Sequence, residues 1–142
     1  MRISDVLRSK GAAVATVLPE TLVTELLRRL ADNNVGAMVV VGVDGIAGIV
    51  SERDVVRRLT EYGPDLLSMP VSAIMTTMVA SCRPEDSVDS LSALMTEKRI
   101  RHVPVVVDGK LVGIVSIGDV VKVRMQELEQ SQEQLQAYIS QG

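Results

Sequence analysis

The sequence says almost the same thing twice, and that repetition limits its possible folds more than any other feature. Gly48–Val56 reads GIVSERDVV, and Gly113–Val121 reads GIVSIGDVV, 65 residues later. The register runs without a gap from Thr16/Ser81 to Val56/Val121. Within it Pro19-Glu20 matches Pro84-Glu85, Val23 matches Val88, Leu26 matches Leu91, and Val40-Val41 matches Val105-Val106. A tandem repeat fixes architecture before any element is assigned. Copies of roughly 60 residues are each marginal alone, so the two are expected to share one core. A pseudo-twofold pair also leaves a cleft between equivalent edges. Polar residues that both copies place there are candidate ligand contacts.

Composition narrows the chemistry. The 142 residues suffice for one compact domain, and 46% hydrophobic with 23% charged is a soluble globular profile. No apolar run approaches the ~18 residues of a membrane span. The N-terminus, MRISDVLRSKG, lacks an apolar signal-peptide core, so secretion is not expected. The single cysteine, Cys82, cannot form an internal disulfide and suits a reducing, cytoplasmic setting. A net charge of −3 argues against nucleic acid as the main partner. There is no Trp, no Phe and only Tyr62 and Tyr138, so a bound base must sit mainly between aliphatic side chains.

Each copy reads β-α-β-β-α. A short strand (Val14–Val17 or Val79–Cys82) precedes a Pro-Glu turn and a helix. Helical spacing marks Leu22, Val23, Leu26, Leu27 and Leu30, and then Val88, Leu91, Leu94 and Met95, with Thr21 and Asp86 as expected N-caps. The β-branched runs Ala37–Gly42 and His102–Val107 lead into Asp44-Gly45 and Asp108-Gly109, a strong tight-turn signal. The return strands Ile46–Val50 and Lys110–Val115 each precede a helix, Glu52–Glu61 and a longer one from Ile117. A lead-in helix, Ile3–Arg8, has a counterpart in Val71–Met75. Their serines, Ser4 and Ser72, are 68 residues apart, so the first copy carries three extra residues, expected in the loop Lys10–Ala13. Gly63-Pro64 and Met69-Pro70 mark Tyr62–Pro70 as the inter-repeat linker.

The last helix outruns its partner. Val121, Met125, Leu128, Gln132, Leu135 and Ile139 follow a heptad spacing with one polar position. Two readings fit: a helix folded back on its own domain, or one that crosses a dimer interface.

Ser51-Glu-Arg-Asp54 and Ser116-Ile-Gly-Asp119 are first of all capping boxes at strand-to-helix junctions. The same carboxylate can accept hydrogen bonds from the vicinal hydroxyls of a ribose, and the helix N-terminus beside it suits a phosphate. The two uses are compatible, because the cap positions the groups a ligand would meet. Arg53, Arg57 and Arg58 read as a solvated helix face; alternatively Arg53, with Arg57 or Arg101, neutralises phosphates at Asp54.

The doubled Gly-Ile-Val-Ser-x-x-Asp, Ile74-Met75-Thr76, and the hairpin entries Asn34–Val41 and Arg99–Val106 together resemble a tandem pair of CBS (cystathionine-β-synthase-type) domains, a Bateman module. The likeness covers about Ile3 to Arg124, and the tail is similar to small stand-alone bacterial members. It implies an α/β fold of two CBS repeats (1–62 and 71–124) joined by a linker (63–70), with a C-terminal helical extension (125–142). It also implies a non-enzymatic sensor of adenosine-containing ligands such as AMP, ADP, ATP, NAD or S-adenosylmethionine. No cofactor would be obligatory, and magnesium would enter only through ligand phosphates. One implied site uses Ser116, Asp119, His102 and Val103 with Thr16, Val35, Gly36 and Ala37. The other uses Ser51, Arg53, Asp54, Ala37 and Met38 with Thr77, Met78, Ile100 and Arg101. A homodimer acting on a protein partner in trans is expected, and the alternative is a scaffold that binds no ligand. His102 and Cys82, as the only histidine and cysteine, make a poor nucleophilic pair without an orienting third group.

Overall fold

The β-branched runs fold into two antiparallel hairpins of identical register. A computed structural model describes residues 1–11, 13–77 and 80–141. The elements run α1 (Ile3–Lys10), β1 (Thr16–Val17), α2 (Val23–Asn33), β2 (Ala37–Gly42), β3 (Gly45–Ser51) and α3 (Glu52–Tyr62). Two 3-10 turns follow, Gly63–Ser68 and Val71–Ala73, and then α4 (Val88–Lys98), β4 (His102–Val107), β5 (Lys110–Ser116) and α5 (Ile117–Gln141). Ala37 opposes Ser51 as His102 opposes Ser116, and both ladders shift register at the same step, Val40/Val41 and Val105/Val106. In the second hairpin Asp108 and Gly109 both take positive φ, as a tight two-residue turn requires. In the first, Val43-Asp44 makes the connection and Gly45 already belongs to β3.

The first strands are shorter than the sequence suggests. Only Thr16 and Val17 of Val14–Val17 pair, parallel to β2. In the second repeat Cys82 makes the matching parallel bridge to Val105, while Val79 lies outside the described residues. The expected caps also shift. Thr21 Oγ1 accepts from the Leu18 amide at 3.1 Å, and Asp86 Oδ2 accepts from the Arg83 amide at 2.8 Å. Both side chains are thus committed to the Pro-Glu turn. The N-caps are the next residues, Leu22 without a side-chain bond and Ser87, whose hydroxyl accepts from the Ser90 amide. Val71–Met75 is a correction too: its regular part is the 3-10 turn Val71–Ala73.

The buried residues form two cores rather than the single shared core expected, and the repeats are tied together by exchange. The lead-in α1 places Ile3 and Val6 in the core of β4, β5, α4 and α5. Val71 and Ile74, which precede the second repeat, lie in the core of β2, β3, α2 and α3. The backbone bonds of this exchange obey the pseudo-twofold. Ile3 N–H donates to Asp86 O as Val71 N–H does to Thr21 O, Ser4 to Pro84 as Ser72 to Pro19, and Val88 to Met1 as Val23 to Met69. The segment Gly63–Ser68 packs in place, with Leu66 fully buried.

One glycine position fits this crossing. A Cβ on Gly48 would collide with the backbone oxygen of Thr76, which bridges to Ile49. On Gly113, at the equivalent point, it would meet the Leu7 side chain at 2.6 Å. The glycine of the repeated motif therefore makes room for the lead-in segment of the other repeat.

Candidate functional site

Both capping boxes form. Asp54 Oδ2 accepts from the Ser51 amide at 2.8 Å and from the Ser51 hydroxyl at 3.1 Å. Ser116 N–H donates to Asp119 Oδ2 at 2.8 Å, and Asp119 N–H donates to Ser116 Oγ at 3.2 Å. Strand β3 delivers Ser51 and helix α3 begins at once, because Glu52 N–H is held by Gly36 O at 3.0 Å; Ile117 and Arg101 repeat that bond at 2.8 Å. Among the described residues the Asp54 carboxylate uses only Oδ2, leaving Oδ1 without a protein partner. The cap fixes the carboxylate while engaging only one of its oxygens among the described residues.

Asp54 opens on a cleft of about 620 Å³ between the two repeats. The first repeat contributes Gly36, Ala37, Ile49, Ser51, Glu52, Arg53, Asp54 and Arg57, and the second side contributes Thr76, Ala80, Arg99, Ile100, Arg101 and His102. Ala37, Ser51, Arg53, Asp54, Ile100 and Arg101, read from the sequence for this site, meet here. Gly36 and His102, assigned to the other site, join them. Met38 and Val103 are almost wholly enclosed, so their side chains face the cores. Thr77 is exposed outside the lining, Thr16 and Val35 also lie away from it, and Met78 is outside the described residues.

The charge in the cleft is unbalanced. Four guanidinium groups (Arg53, Arg57, Arg99 and Arg101) face two carboxylates, Glu52 and Asp54. Among the described residues none of the four takes part in an ion pair, although Arg28, Arg29, Arg58, Arg83 and Arg124 all do. Arg99 was missed from sequence. It ends α4 with φ 54°, in the left-handed region that Asn34 occupies at the equivalent place with φ 52°. Asparagine tolerates that region far better than arginine. The signal available was an arginine aligned with a helix-ending asparagine.

The Asp119 side differs. Lys10 Nζ lies 2.6 Å from Asp119 Oδ2 and donates to Ile114 O at 2.8 Å. Burial pushes the Asp119 carboxyl up, but the Lys10 ammonium and the Ser116 donors outweigh it and hold the group below its ordinary value. His102 titrates below the usual imidazole range, first because it is buried and then because Lys10 is near. Cys82 packs in a core with its thiol pushed up to about 12 by burial, so almost no thiolate exists at neutral pH. Among the described residues no three His, Cys, Asp or Glu side chains gather as metal ligands. No described helix is long and apolar enough to cross a membrane.

The CBS domain model matches residues 3–61 and again residues 71–126. The chain belongs to the CBS domain family. As a CBS domain pair, or Bateman module, it is a regulatory module and not an enzyme. It is 37% identical to the CBS domain-containing protein CBSX3, mitochondrial, of Arabidopsis thaliana, over 99% of this chain and 72% of that protein. A CBS-domain protein of Agrobacterium tumefaciens, ATU1752, has a similar structure: TM-score 0.83, 42% identity, covering 87% of this chain and 92% of that one. The CBS pair of protein MJ0100, solved with 5′-methylthioadenosine and S-adenosyl-L-methionine, shares the fold with TM-score 0.80 at 22% identity, covering 89% of this chain and 98% of that one.

Proposed function

We propose that this CBS pair is a sensor of adenine nucleotides that carry more than one phosphate, and that it binds them at Asp54. The observation that carries this reading is the cleft itself, where one half-free carboxylate stands among four arginines that make no ion pair among the described residues. In this reading Asp54 Oδ1 and the Ser51 hydroxyl hold the ribose. Ala37, Ile49 and Ile100 enclose the base without aromatic stacking. Arg53, Arg57, Arg99 and Arg101 take the phosphates, for which planar guanidinium donors are well suited. Magnesium enters, if at all, on the phosphates. The MJ0100 pair supports the ligand class, since it holds two adenosyl compounds in the same fold.

The test is calorimetric titration of nucleotide-free protein with adenosine, AMP, ADP and ATP, with NAD and S-adenosylmethionine as competitors. Affinity should rise with phosphate number from AMP to ATP, and Asp54→Ala should abolish that rise, leaving only binding at Asp119. Removing Arg101 should flatten the dependence on phosphate number while retaining adenosine binding. Absence of binding by every compound would favour the scaffold alternative.

The module also acts, in this proposal, as a homodimer. Val56 and Val121, which the pseudo-twofold relates, are both well exposed, as are Leu59 and Met125 nearby. The seam continues along α5 through Leu128, Leu135 and Ile139, all exposed. A second copy of the chain offers the same heptad stripe in return, which a self-complementary interface requires.

A further inference from the structure

The two repeats satisfy one carbonyl in different ways. Ile49 O accepts from the Thr76 backbone amide at 2.9 Å. Its equivalent, Ile114 O, accepts instead from Lys10 Nζ. The cause is visible in the chain: α1 runs on to Lys10, in the stretch where the first copy's three extra residues fall, whereas the chain after Ile74 becomes extended and bridges β3 at Thr76. A backbone donor cannot leave, but a lysine side chain can. The same ammonium neutralises Asp119, while Asp54 has no cation within ion-pair distance among the described residues. The cations also come from different places. Arg53 stands beside Asp54, but Gly118 stands beside Asp119, so Lys10 brings the positive charge to the second site.

We propose that Lys10 determines the specificity of the Asp119 site: its ammonium occupies the place of a ligand there and yields it only to a nucleoside that brings a 5′-phosphate. The ribose hydroxyls replace the ammonium at Asp119, and the phosphate receives the ammonium they displace. A neutral nucleoside offers no such exchange. It must strip Lys10 of a carboxylate and a carbonyl and return no anion to the ammonium, although at 34% side-chain exposure water makes up part of that loss. The inference rests on the adenosyl-ligand reading above and adds a second source of phosphate selectivity: a displaced ammonium at Asp119, against arginines already free of ion pairs among the described residues at Asp54.

Adenosine and AMP differ only by the phosphate, so they are the probes. Asp54→Asn isolates the Asp119 site, and Asp119→Asn isolates the Asp54 site. In the Asp54→Asn protein AMP should bind at least tenfold more tightly than adenosine. Adding Lys10→Met should raise adenosine affinity about three- to fivefold and bring the two ligands close together. Lys10→Gln, polar but uncharged, should match it, which guards against a packing artefact of the methionine. An AMP-to-adenosine ratio that Lys10→Met leaves unchanged overturns the proposal, as does a failure of either probe to bind once Lys10 is replaced. Nucleotide binding by Asp119→Asn reports on the proposed function independently. If that protein binds while the Lys10 variants show no change, the gate fails and the sensor reading stands. If no variant binds any nucleotide, both fail.

Discussion

Asp54 and Asp119 align in sequence, take the same cap geometry and meet different neighbours. The cap at each was readable from Ser-x-x-Asp, because it needs only local spacing. Lys10 was not readable as its partner, since 109 residues separate it from Asp119 and only the exchange of lead-in segments brings them together. Arg99 escaped for a related reason, as its reach into the cleft depends on the left-handed backbone that ends α4. The Lys10–Asp119 contact has a pH signature. A carboxyl held low in the folded state contributes stability above its unfolded value, near ~3.9, and loses it as pH falls through the lower folded value. Lys10→Met should therefore cost less than about 1 kcal/mol at neutral pH. Its stability curve should converge on that of wild type below about pH 4, where Asp119 of the unfolded chain is protonated. Urea melts across that range check this, and a gap that widens on acidification contradicts the pairing. The two motif glycines should also differ. Gly48→Ala forces a Cβ against a backbone oxygen that cannot move without breaking the Ile49–Thr76 bridge, which should cost ~1–3 kcal/mol. Gly113→Ala presses only on the Leu7 side chain, which can change rotamer, so thermal melts should show a distinctly smaller loss.

At the scale of elements, the hairpins were the most legible part, since β-branched runs around a turn dipeptide fix both pairing and register. β2 and β4 coincide with the runs read from the sequence. The helix starts were less legible. Thr21 and Asp86 are good capping residues, but a turn just upstream competes for the same side chains and takes them. Helix α5 shows the limit of periodicity. Its heptads were clear in the sequence, yet two placements fitted them. Among the described residues everything from Leu128 to Gln141 is exposed, so the helix does not fold back over its own repeat. Its last buried residue is Val123. Truncation after Glu127 should leave both cores, and the nucleotide binding proposed at Asp54, intact. By sedimentation it should weaken self-association at least tenfold. A truncated protein that dimerises as tightly as the full chain would confine the interface to Val56, Leu59, Val121 and Met125.

At the scale of the whole molecule, the repeats are consecutive in sequence but interleaved in space, and stability follows the second arrangement. A cut between residues 70 and 71 follows the sequence repeat. It would strip the second core of Ile3 and Val6, which are 0% and 5% exposed. It would leave Val71 and Ile74 uncovered on the separated second half. Each fully buried aliphatic side chain contributes ~1.5–3 kcal/mol, and a single domain has only ~5–15 kcal/mol to lose. A half of this size is marginal to begin with. The fragment 71–142 should therefore show no cooperative thermal transition by circular dichroism, although it contains the whole of α4, β4, β5 and α5. Co-expression with fragment 1–70 should restore a single transition, because each half then recovers the lead-in segment that fills its core. The intact chain should likewise unfold in one step, with the calorimetric and far-ultraviolet transitions coincident. Two resolved transitions, or a fragment 71–142 that melts sharply alone, would show that the exchanged segments decorate cores that already stand by themselves. In that case a ligand in the cleft would be the main tie between the repeats. One-step unfolding without nucleotide means that the cleft is already built by the exchange, so that the ligand proposed at Asp54 would act on both repeats at once.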